Sequence, residues 1–122
     1  MSIDLSQPDG QGDARITSMT VTDDGTTLNF EGPVEGYGQV FGTQTWTPTN
    51  EDETQGTMVG KVRVLLDDGD LIRADVRGTY RRDGALVKLF FVDAVSNGDH
   101  NFVAWDVDLS SRKVGIKYYS LK

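Results

Sequence analysis

The chain has 122 residues, 37% hydrophobic and 25% charged, with a formal net charge of −7. That describes one globular domain with enough apolar content for a core, and a poor partner for nucleic acid, whose phosphates it would repel. With no cysteine and a single histidine, it offers no disulfide, thiolate metal site or cysteine nucleophile, and zinc lacks a ligand set.

The opening MSIDLSQPDGQGDAR is acidic and lacks the basic and apolar regions of a signal peptide. It reads as a flexible leader over 1–13 ahead of one domain over 14–122 in a cytoplasmic protein. No apolar run approaches the ~18 residues that span a membrane as a helix. No long stretch keeps a helical apolar period either. Instead, turn signals recur at strand-length intervals: TDDG (22–25), EGP (31–33), TPTNEDE (47–53), DDGD (67–70), RRDG (81–84), SNGD (96–99) and SSRK (110–113). Asp-Gly and Asn-Gly between alternating apolar runs mark hairpins. They predict strands near 14–21, 26–31, 34–46, 55–66, 71–81, 86–95, 100–109 and 114–121.

Loop lengths then set the facing, because a slip of one residue inverts a strand. A two-residue turn at Asn97-Gly98 sets Val92 opposite Val103, Phe90 opposite Trp105 and Lys88 opposite Val107. Three-residue loops at Asp83-Gly84-Ala85 and Asp68-Gly69-Asp70 set Tyr80 opposite Lys88 and Val62 opposite Val76. A four-residue loop over 110–113 adds Val114, Ile116 and Tyr118 to the same face. This keeps one apolar face continuous across five strands, through Met58, Val62, Ala74, Leu86, Phe90, Val92, Val103, Trp105 and Ile116. The opposite face carries Lys61, Arg63, Arg73, Asp75, Arg77, Asp106 and Asp108. Consecutive hairpins make a meander, so the expected fold is all-β, an antiparallel up-and-down barrel of about eight strands, with a two-sheet β-sandwich as the second arrangement.

In strand count and connectivity the expected architecture is similar to the calycin and allene-oxide-cyclase-like barrels, though no lipocalin GxW lies near the first strand. The resemblance implies a barrel that binds a small apolar molecule or steers a reactive one.

Lys88 is the one charged side chain this register places on the inner face of its hairpin. An isolated ammonium there needs an outlet or a partner. Lys88, Tyr80, Trp46, Trp105 and Tyr118 are therefore the candidate ligand-binding residues, at the barrel end with the 48–53, 81–85 and 110–113 loops. The expected ligand is small and largely apolar, with an anionic group against Lys88. The alternatives are a cofactor-free enzyme isomerising or cyclising such a ligand, with Lys88 and Tyr80 as acid–base groups, and a non-catalytic interaction module. GYGQVFG (36–42) has the wrong spacing for a phosphate loop and no following helix. DDGDLIRAD lacks the ligand pattern of a calcium loop, so no cofactor or metal is expected. His100 falls on the outer face beside a turn and reads as a surface residue. Val87, Leu89, Phe91, Phe102 and Ala104 form an outward apolar strip on the sixth and seventh strands, the expected contact of a homodimer.

Overall fold

The computed structural model describes residues 4–121. Eight antiparallel strands close into a barrel in chain order: β1 (Gly10–Thr22), β2 (Gly25–Val34), β3 (Gly38–Pro48), β4 (Gln55–Leu66), β5 (Leu71–Asp83), β6 (Leu86–Val95), β7 (His100–Asp108) and β8 (Lys113–Ser120). Pairing of β1 with β8, from Gly10↔Tyr118 to Arg15↔Lys113, removes both free edges. β1 thus starts at Gly10 rather than at 14, and Asp9 continues the ladder by donating its N–H to the Tyr118 carbonyl at 2.8 Å. No helix among the described residues is long and apolar enough to cross a membrane.

The interior is filled by alternate residues of every strand. Leu28, Met58 and Leu89 are at most 1% exposed, and Trp46, Trp105 and Ile116 are buried around them. β4, β5, β7 and β8 face as their patterns predict, with Met58, Val62, Ala74, Val76, Val103, Trp105 and Val114 inside. The β4–β5 loop is Asp67-Asp68-Gly69, and the β7–β8 loop spans 109–112. Each sets a pairing displaced by two residues from the expected one, and an even displacement leaves facing unchanged.

β6 is inverted. Asp83 pairs with Leu86 across a two-residue turn, Gly84-Ala85, and Gly84 takes a φ of 62° at the first central position, as a type II′ turn requires. At the other end the loop is Ser96-Asn97-Gly98: the Gly98 N–H donates to the Val95 carbonyl, the Val95 N–H to the Asp99 carbonyl, both at 2.9 Å, and Gly98 has a φ of 98°. The expected loop lengths at these two places each miss by one residue, in opposite senses. The errors cancel beyond β6, so that strand alone turns over.

The segment LVKLFFVDAV is apolar on both faces, so alternation could not choose between them. Burial does choose. The observed register takes Val87, Leu89 and Phe91 inside and leaves Leu86, Phe90 and Val92 outside at 61%, 38% and 49% exposure. It also removes Lys88 from the core, where an unpaired ammonium would be costly. Lys88 lies outside, opposite Asp106, with Nζ 3.0 Å from Oδ1. The outer strip expected from Val87, Leu89 and Phe91 therefore does not exist; those three side chains are core. Phe102 and Ala104 do face outward, against Val92 and Phe90 rather than the expected neighbours.

Candidate functional site

The two ends of the barrel differ. At the end bearing the β1–β2, β3–β4, β5–β6 and β7–β8 loops, Trp46 stacks on Tyr80 with ring centroids 5.2 Å apart, above the fully buried Leu28 and Met58. That plug fills the end at which the sequence placed a ligand cup. Tyr80 is buried and Lys88 faces outward, and both border one open groove with Gly56, Thr79 and Phe90.

The opposite end, formed by the β2–β3, β4–β5 and β6–β7 loops, holds a cavity of about 70 Å³. Phe30, Val62, Val76, Phe91, Val103, Trp105 and Ile116 make its walls, and Tyr37, Asp93, Asn101 and Tyr118 bring polar atoms to it. Two of the expected ligand residues, Trp105 and Tyr118, thus line one cavity, and the other three do not. Trp105 is fixed edge-on against Phe30 and Phe91, at centroid distances of 4.7 and 5.5 Å. Such contacts hold the indole as a rigid wall.

The rim is a hydrogen-bonded chain linking β6, β7 and the β2–β3 loop. Asn101, 2% exposed, donates Nδ2 to Asp93 Oδ1 at 3.0 Å and to the Tyr37 hydroxyl at 2.9 Å. Its backbone N–H reaches the same Asp93 oxygen at 3.1 Å, and the Tyr37 hydroxyl donates to Asp99 Oδ2 at 2.8 Å. Tyr118 packs edge-on against Tyr37 and donates its hydroxyl to the Glu35 carbonyl at 2.9 Å. Burial pushes the Asp93 carboxyl up to about 6, against the opposing effect of its two Asn101 hydrogen bonds. Burial raises Tyr37 and Tyr118 as well, so both phenols stay protonated at neutral pH.

Gln44, on β3, also lines the cavity and is 0% exposed. Its Oε1 accepts the Trp46 indole N–H at 3.0 Å, which fixes the amide orientation and leaves Nε2 buried with no partner among the described residues. Buried donors without partners are rare and cost roughly 1–3 kcal/mol each.

No family model, curated protein or solved structure matches the chain significantly.

Gln44, Asp93, Asn101 and Tyr37 were not among the residues expected from sequence. One signal pointed to Asp93. In the inverted register of β6 it is the single charged residue in the inward series Val87, Leu89, Phe91, Asp93, Val95. The turn lengths decide that the inward charge of β6 is Asp93 and not the expected Lys88.

Proposed function

We propose that the barrel binds a small, largely apolar molecule inserted through the end ringed by Tyr37, Asp93, Asn101 and Tyr118. The observation that carries this reading is Gln44, a cavity-lining residue whose Nε2 donor is buried with no hydrogen-bond partner among the described residues. A ligand with a hydrogen-bond acceptor at its inner end satisfies that donor while its hydrocarbon contacts Phe30, Val76 and Trp105. The volume sets the scale: about 70 Å³ exceeds the ~15 Å³ needed for one water and falls short of the ~150 Å³ that accepts benzene. The inserted part is short and narrow. Titration with 1-methoxybutane, followed by NMR on the Trp105 indole and the Gln44 amide, tests the reading. Saturable shifts at both are expected, and Val76→Phe, which fills the cavity, abolishes them. Binding that survives Val76→Phe, or no shift at either group, overturns it.

A second reading, an interaction surface for another copy of this chain, is favoured by a different observation. Phe90 and Phe102 stack on the outer face with centroids 5.9 Å apart, beside the exposed Val92. The adjacent Lys88–Asp106 pair carries both signs, so a twofold contact would set these pairs of two copies against one another. Sedimentation checks it: Phe90→Lys or Phe102→Lys shifts a dimer to monomer, and a wild type that stays monomeric at high concentration excludes it.

A further inference from the structure

The cavity mouth carries acidic groups on several elements. Asp93 reaches it from β6 and Asp99 from the β6–β7 loop, while the Glu35 carboxylate, in the β2–β3 loop, accepts the Gln11 N–H at 3.0 Å. Asp9, just before β1, accepts the Ser120 N–H with Oδ2 at 2.6 Å. Asp9, Glu35 and Asp99 all lie close enough to oppose ionisation of Tyr118. β5 sets the apolar Val76 opposite Asp93 and turns Asp75 and Arg77 outward. Among the described residues, the one basic side chain that favours the Asp93 anion is His100, exposed at the start of β7. Acids alone would mark only a solvated rim, but this rim opens onto a cavity whose wall holds the unpartnered Gln44 amide.

Resting on the cavity-binding reading, we infer that the ligand is a small primary amine, its ammonium at the rim against Asp93 and its uncharged, acceptor-bearing end inserted toward Gln44. Asp93 uses Oδ1 for both Asn101 hydrogen bonds, leaving Oδ2 without a partner among the described residues. An ammonium there makes a charge-assisted bond to a partly desolvated carboxylate. Gln44 on β3 and Asp93 on β6 are three strands apart in a barrel of eight, so they approach a ligand from nearly opposite walls. That arrangement reads both ends of a short molecule. It reverses the polarity expected from Lys88: the mouth rejects anions.

Three probes built on one 3-methoxypropyl frame separate the possibilities: 3-methoxypropylammonium, neutral 1-methoxybutane and the bulkier anionic 4-methoxybutanoate, each titrated by NMR on the Trp105 indole and the Asn101 side-chain amide. At pH 8 the ammonium is expected to bind at least tenfold more tightly than the ether, and the carboxylate more weakly than either. The preference should shrink toward pH 5 as Asp93 takes up a proton, and vanish in Asp93→Asn while ether binding persists. Equal binding of ammonium and ether by the wild type overturns the amine inference and leaves the cavity reading intact. If none of the three shifts Trp105, the cavity reading itself fails and the amine inference with it. The wild-type series decides the matter even if Asp93→Asn does not fold.

Discussion

Asp93 and Asn101 stand opposite each other on β6 and β7, and a single carboxylate oxygen, Asp93 Oδ1, accepts both the Asn101 backbone N–H and its Nδ2. The pair closes one corner of the cavity mouth. Both hydrogen bonds favour the anion, yet burial outweighs them and holds Asp93 at about 6.

This relationship fixes the sign of a pH dependence. A carboxyl raised from 3.8 to about 6 on folding gives the native state more bound protons than the unfolded chain between those values. Its contribution to stability is fully present below about pH 4 and is lost as pH rises through 6. Asp93→Asn, which keeps an acceptor oxygen for Asn101, is expected to be more stable than wild type at pH 8, by about 1–2 kcal/mol after allowance for partial solvent contact. The advantage should disappear by about pH 4, as read from urea unfolding at both pH values.

The facing of β6 has its own test. Leu89→Ala removes a fully buried side chain and should cost about 2–5 kcal/mol. Phe90→Ala, next along the strand and facing outward, should cost less than about 1 kcal/mol. Denaturant midpoints giving the opposite order would restore the register first expected from the turns.

Lys88→Met should change stability by no more than about 1 kcal/mol, because its ion pair with Asp106 is half exposed and such pairs contribute little. A loss of several kcal/mol in thermal or chemical unfolding would place the ammonium in a buried network.

Gly78 on β5 pairs with Phe91, and a methyl group there would collide with the Phe90 carbonyl and the Phe91 side chain. Backbone cannot yield as a flexible side chain does. Gly78→Ala is therefore expected to destabilise by about 2–3 kcal/mol, whereas Gly84→Ala, which meets no atom within 4 Å, pays only the strain of a positive φ. The difference between the two unfolding free energies checks this.

Strand number, order and the facing of β4, β5, β7 and β8 were legible in the sequence. Each hairpin sequence carries its own turn residues, and Lys61, Arg63, Arg73 and Asp75 alternate with Val62, Val64, Ala74 and Val76. Burying the charged set would be prohibitive, so one facing is physically available. β6 had no such constraint. Its two faces are nearly equally apolar, and a period of two cannot rank them. Closure of the barrel ranked them, by admitting Val87, Leu89 and Phe91 to the interior and leaving Lys88 outside beside Asp106. The cavity depended on the same decision, since only the inverted strand brings Asp93 to Asn101. It depended also on contacts the chain order cannot express: Tyr37 meets Asn101 across 64 positions and Tyr118 meets Glu35 across 83. Local pattern determines which segments become strands; which polar groups share a cavity follows from how the closed sheet brings distant strands and loops together.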